Sequence, residues 1–146
     1  SDGGLLHTLA RVRQALALNH PEAHDALDIL SKVGGFEIGG LVGAILATAA
    51  NRRPIMVDGF IATSAAMIAV KLAPTVRPYL FAAHRSAEGG HSAMLAWLGL
   101  EPLLALDMRL GEGTGAVLGM QIADAACRLL DEMATFGEAG VDNRAD

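Results

Sequence analysis

The chain has 146 residues, a formal net charge of −5 and a pI near 5.4; it is the size of one domain and lacks the basic stripe that a general nucleic-acid binder needs. Hydrophobic residues make up 52% but aromatics only 4%, so a core must be assembled from Ala, Leu, Val, Ile and Met, with 17 glycines permitting close backbone contacts. The longest nearly apolar run, Ile38 to Ala50, is too short to cross a bilayer and is followed by Asn51-Arg52-Arg53, so no membrane span is expected.

The amino-terminus shows no succession of basic, apolar and cleavable regions, which fits a cytoplasmic protein. Leu5, Leu6, Leu9, Val12 and Leu16 recur at helical spacing opposite Arg11, Arg13 and Gln14, an amphipathic helix. Asn19-His20-Pro21 breaks it and starts a short helix around Glu22 to Leu30, which Gly34-Gly35 ends. From Phe36 to Ala49 the pattern is helical and apolar all round. Gly39, Gly43 and Ala47, at four-residue steps, let another backbone lie close there, in the core or across a subunit interface. Arg53 to Val57 reads as a short buried strand, Asp58-Gly59-Phe60 as the turn at its carboxyl end, and about Thr63 to Leu72 as the next helix. Pro74 and Pro78 bracket a connection to a second apolar segment, Tyr79-Leu80-Phe81-Ala82, which opens into a polar turn from His84 to Gly90. A helix from His91 to Leu98, a link through Glu101 and Pro102 and a third apolar segment near Leu103 to Met108 follow. They lead to Arg109-Leu110-Gly111-Glu112-Gly113-Thr114-Gly115 and a final helix to about Met133. Residues 1–136 form a single domain in this reading, and 137–146 a loose tail.

Cys127, the one cysteine, sits in an apolar helical pattern and reads as a buried core thiol without a disulfide partner. Of the five histidines only His20 and His24 share an i, i+4 spacing, so no metal site is expected. His84 and Arg85 fit either a phosphate-attracting turn or a merely solvated one. Trp97 and Tyr79 read as core or interface residues.

Short strands alternating with helices imply an α/β domain with a mainly parallel, Rossmann-like sheet and helices on both faces, built from strand-loop-helix units. Ligands of such sheets gather at the carboxyl ends of the strands. The polar turns at Asp58-Gly59, Ser86 and Glu112 each follow a predicted strand, and their convergence on one edge marks a candidate site. At Glu112 two readings stand from spacing alone: a carboxylate presented to a ligand among glycines, or a helix start whose acid complements the positive end of the dipole.

Five ordered motifs then carry a resemblance from about Leu5 to Met133: Ser31-Lys32-Val33-Gly34-Gly35-Phe36-Glu37, Asp58-Gly59-Phe60, Val76-Arg77-Pro78-Tyr79, Ser86-Ala87-Glu88 and Arg109-Leu110-Gly111-Glu112-Gly113. Together they closely resemble the nicotinate-nucleotide:dimethylbenzimidazole phosphoribosyltransferases, which move phosphoribose from nicotinate mononucleotide to 5,6-dimethylbenzimidazole in cobalamin lower-ligand assembly. The resemblance implies that Glu112 is the general base and that Leu110 lies against the benzimidazole ring, with Gly111 and Gly113 leaving room and backbone donors. It also implies that Asp58 and Gly59 sit near the ribose and phosphate and that Ser86 contacts the phosphate. Asp58 either accepts ribose hydroxyls or caps the following helix, and Ser86 fits a cap as well. No metal, cofactor or covalent enzyme intermediate is implied; the partners are the two small-molecule substrates and a second copy in a homodimer, with no nucleic acid or membrane.

The chain departs from that family in two respects. Its members are much longer and carry an amino-terminal Gly-Ile-Gly-Asn-Thr-Thr phosphate motif that is absent here, so the chain resembles a carboxyl-terminal half, whether a domain, a proteolytic remnant or a natural short form. Thr8 stands where a lysine is usual. Little or no transferase activity is therefore expected of the chain alone, and a noncatalytic base- or nucleotide-binding module, or a purely structural role, stands as the alternative.

Overall fold

A computed structural model describes residues 2–141. Helix α1 (Asp2–Asn19) leads to α2 (Ala26–Val33) and α3 (Phe36–Ala50), then strand β1 (Ile55–Val57), α4 (Phe60–Leu72), a 3-10 helix (Pro74–Tyr79), β2 (Leu80–Ala82), α5 (His91–Leu98) and α6 (Thr114–Glu132). Helix α2 starts at Ala26 rather than at Glu22. The Asp25 carboxylate accepts the N–H groups of Leu27 and Asp28 at 2.9 and 3.1 Å, and this cap fixes the first turn.

Strands β1 and β2 run parallel, with Ile55 opposite Leu80 and Val57 opposite Ala82. Beyond them a single parallel bridge joins His84 to Leu104. The described residues are thus an α/β fold, mostly helix around a small parallel sheet. The extended Rossmann-like sheet suggested by the alternation is not seen among them. The third apolar segment runs beside β2 and the turn after it, through backbone hydrogen bonds at Leu103, Leu104 and Met108, but forms a bridge only at Leu104 and no full strand.

The core lies between α3 and α4 and one face of β1. Ala65, Ala66 and Ala69 give α4 a nearly flat side, against which Val42, Ile45 and Ala49 of α3 pack together with Val57, Val76, Leu80 and Leu98. Met56 points to the other face, where α6 crosses. A Cβ on Gly119 would stand 2.9 Å from the Met56 sulfur, so the helix lies against the sheet through bare backbone. Gly115 and Gly119 are the residues α6 buries. The rest of that helix is solvent-facing, Cys127 included, which corrects the expectation of a buried thiol. Exposed leucines along α1 and the open surroundings of Gly43 on α3 likewise leave those faces without a covering element among the described residues.

One carboxylate joins β1 to α6. Asp58, directly after β1, accepts the Gly113 N–H at Oδ2 (3.2 Å) and the Ala116 N–H at Oδ1 (2.8 Å), across 55 and 58 positions of chain. The first N–H groups of a helix have no partner inside it, and the cap residue here, Gly113, has no side chain to offer. Asp58 supplies both the acceptors and a negative charge at the positive helix end. It therefore caps α6, not α4, the helix that follows it in sequence and whose cap position is Gly59.

Asp58→Ala is expected to lower stability by about 1–2 kcal/mol and to speed amide exchange at Gly113 and Ala116. An unchanged urea midpoint with unchanged protection would show that the cap contributes nothing. A methyl group at Gly115 would collide with the His84 ring and the Asp58 carboxylate, so Gly115→Ala should cost about 2 kcal/mol in the same denaturation experiment. Gly43→Ala, in open space on α3, should instead stabilise by about 0.5–1 kcal/mol, and a loss there would show that this face is covered.

Candidate active site

The seven residues singled out from the sequence, Asp58, Gly59, Ser86, Leu110, Gly111, Glu112 and Gly113, line one cavity of about 700 Å³. It opens between the carboxyl end of β1, the turn after β2 and the turn before α6, and such a volume suits a small-molecule ligand. Glu37, His84, Glu88 and Arg109 complete much of its wall.

Glu112 and Gly113 both adopt left-handed backbone, φ 62° and 82°, and this double turn lifts the Glu112 side chain out of the line of α6. Its carboxylate is exposed and, among the described residues, accepts no hydrogen bond, so it is open to a proton donor in the cavity. Leu110, 66% exposed, offers an apolar surface beside it. Arg109 binds Oε1 of Glu88 through Nε and Nη2 at 3.3 and 3.0 Å, linking this turn to the one after β2. Both side chains are largely exposed, so the pair orients the rim and contributes little to stability, about 0–1 kcal/mol.

In the turn after β2 the N–H groups of residues 85–88 are already taken. Arg85 N–H reaches the Leu104 carbonyl (2.8 Å), Ser86 N–H the Nδ1 of His91 (2.9 Å) and Ala87 N–H the Met108 carbonyl (3.1 Å). Glu88 N–H reaches Ser86 Oγ at 3.2 Å. The Ser86 oxygen is thus an acceptor toward its own loop, and its O–H proton remains a donor this turn can offer a ligand.

Two buried imidazoles, 6.2 Å apart, lie at this place: His84 on the cavity wall and His91 behind it. Ser86 N–H donates to His91 Nδ1, so that nitrogen is unprotonated and the proton sits on Nε2, which donates to Thr63 Oγ1 on α4 at 2.8 Å. Burial, and to a lesser degree the neighbouring His84, holds the His91 pKa below its ordinary value of 6.5, while the Asp58 charge pulls the other way. His84 is also buried, which corrects its reading as a residue of a solvated turn: the bridge to Leu104 carries it into the interior. Its Nε2 is 3.6 Å from Asp58 Oδ1, and neither ring nitrogen has a hydrogen-bond partner among the described residues.

The buried polar side chains among the described residues, Asp58, Thr63, His84, Ser86 and His91, all gather at this place. Sequence reasoning missed Thr63 and His91, whose signals were slight: one threonine on an otherwise apolar helix face, and a histidine opening a helix after Gly89-Gly90. Glu37 it quoted within a motif without giving it a place at the cavity. Among the described residues no cluster of His, Cys, Asp or Glu has the makings of a metal site.

A family model described as a phosphoribosyltransferase matches residues 1–141. The chain is 61% identical over 145 residues to a nicotinate-nucleotide--dimethylbenzimidazole phosphoribosyltransferase of Roseiflexus castenholzii and 57% identical over 143 residues to one of Chloroflexus aurantiacus. Those alignments take in 99% and 98% of this chain but 41% of each relative, so the chain spans well under half their length. Two crystal structures from Thermus thermophilus superpose with similar closeness. One, titled as that same phosphoribosyltransferase, gives a TM-score of 0.84 at 48% identity over 90% of this chain and 39% of its own. The other, titled CobT, gives 0.90 at 46% over 99% and 43%. The chain belongs to the nicotinate-nucleotide--dimethylbenzimidazole phosphoribosyltransferase family.

Proposed function

We propose that this chain carries the base-binding and proton-accepting part of an active site that transfers phosphoribose from nicotinate mononucleotide to 5,6-dimethylbenzimidazole, a step of cobalamin biosynthesis. The observation that carries this reading is the exposed Glu112 carboxylate on the wall of a cavity shared by three separate polar turns.

One benzimidazole nitrogen attacks the ribose anomeric carbon as its bond to the nicotinate nitrogen breaks, and the bonding pair leaves with nicotinate. The proton on the other benzimidazole nitrogen grows acidic as positive charge develops, and Glu112 accepts it. Attack from the face opposite nicotinate inverts the centre and gives α-ribazole 5′-phosphate. Leu110 packs against the ring, while Gly111, Gly113 and Gly59 keep the walls low enough for backbone and ligand to meet. Asp58 acts chiefly as the cap of α6 that fixes where Glu112 starts. The Ser86 hydroxyl donates to the phosphate.

The rest of the phosphate cradle, the further strands of a Rossmann-like sheet and the partner of a homodimer belong, in this proposal, to the length of the relatives that the chain does not span. The uncovered apolar faces of α1 and α6 are where those parts pack. A cytoplasmic location fits, and no helix among the described residues is long and apolar enough to cross a membrane.

The test is single-turnover formation of α-ribazole 5′-phosphate by the chain alone and by the chain grafted in place of the matching segment of the Roseiflexus castenholzii relative. The chain alone should give little or no product and the graft should be active, with Glu112→Gln slowing the graft about 10²–10⁴-fold without changing its melting temperature. Full turnover by the Gln variant would remove Glu112 from the role of base. Ligand binding by a correctly folded graft without turnover would favour a noncatalytic binding module.

A further inference from the structure

His91 lies outside the cavity wall and touches no ligand in the proposed reaction, yet it is fully buried and both its ring nitrogens are engaged. Its two partners differ in kind. Thr63 belongs to α4, in the middle of the core, and Ser86 belongs to the turn that faces the ligand. The ring therefore connects a helix packed in the core to the backbone of a loop residue, and it does so in one tautomer only. Ser86 cannot rotate its backbone without giving up a buried hydrogen bond, and its side chain follows the backbone.

From this geometry we infer that His91 is a positioning residue for anion binding: its unprotonated Nδ1 holds the Ser86 N–H so that the Ser86 O–H is presented to the phosphate of the nucleotide. The inference rests on the proposed substrate. It makes binding sensitive to acid in a defined direction. Protonation at Nδ1 would set a donor against the Ser86 donor, so the contact survives only while the ring is neutral. The groups that face the ring are His84, which disfavours its charge, Asp58, which favours it, and the uncharged Thr63. With the folded pKa lowered, the unfolded chain takes up the proton first as pH falls below 6.5. The contribution of His91 to stability is accordingly complete above that pH and is lost on acidification through the lowered folded value.

The test uses the chain grafted into the Roseiflexus castenholzii relative, with nicotinate mononucleotide and, for comparison, nicotinate riboside, which lacks the phosphate. Long-range ¹H–¹⁵N NMR of the wild-type ring should show the proton on Nε2, with the Ser86 amide protected from exchange. His91→Ala should lose that protection and weaken mononucleotide binding about tenfold while leaving riboside binding within about twofold, the loss expected for one buried hydrogen bond. His91→Asn, which returns an acceptor near the place of Nδ1, should restore most of both. Should the alanine variant fail to fold, acidifying the wild-type graft until the ring signals show His91 protonated performs the same release, and Ser86 protection should fall. A folded alanine variant that keeps Ser86 protection and mononucleotide affinity, or an acidified wild type with a protonated ring that keeps Ser86 protection, overturns the inference. If the wild-type graft binds neither nucleotide, the substrate reading and the anion role of Ser86 fall together, while Ser86 exchange still reports whether His91 clamps the loop.

Discussion

The geometry of the cavity depends on one carboxylate holding two distant pieces of backbone together. Asp58 stands where β1 ends, and its oxygens take the Gly113 and Ala116 N–H groups at the start of α6. Beside that contact, the Arg109–Glu88 pair and the Ala87 N–H to Met108 carbonyl bond tie the turn after β2 to the chain before α6. Hydrogen bonds to a charged, mostly buried acceptor are about twice as strong as neutral ones, so a single side chain can set the register of a nineteen-residue helix against the strand. Gly115 makes the contact possible by leaving no atom between the helix and the Asp58–His84 pair.

The interior shows how an alanine-rich, aromatic-poor chain reconciles a tight core with a polar site. Ala65, Ala66 and Ala69 bring α4 close to α3 on one side. Thr63, on the same helix, carries the hydroxyl that meets His91. The polar cluster is therefore continuous with the packed core, and its hydrogen bonds form where little water competes with them. His84 is the exception in that cluster, a buried ring whose nitrogens are unpaired within the described residues.

Much of this was legible in the sequence because it depends on local chemistry. The apolar periodicities of α3 and α4, the strand-then-turn pattern at Val57-Asp58-Gly59 and the glycines around Glu112 all report on neighbours a few positions away, and they pointed to the turns at Asp58-Gly59, Ser86 and Glu112, to which the family resemblance added Leu110, Gly111 and Gly113. What escaped notice depends on partners far along the chain. Nothing near Asp58 announces that it caps a helix starting at Thr114, and nothing near His91 announces Thr63. Cys127 misled for the opposite reason: α6 repeats apolar residues on several sides, and the sequence alone does not say that only its glycines meet the sheet. Leu103 to Met108 has strand composition, yet among the described residues it contributes one bridge and a few backbone hydrogen bonds instead of a third full strand.

Glu112 occupies backbone that a glycine would adopt without penalty, whereas a residue with a Cβ gives up roughly 1–2 kcal/mol to hold it. A chain tuned for folding alone would place glycine there and extend the flanking Gly111 and Gly113 into an unbroken run. In the role proposed for Glu112, stability and chemistry compete at one residue, and the native state is less stable than this backbone would allow.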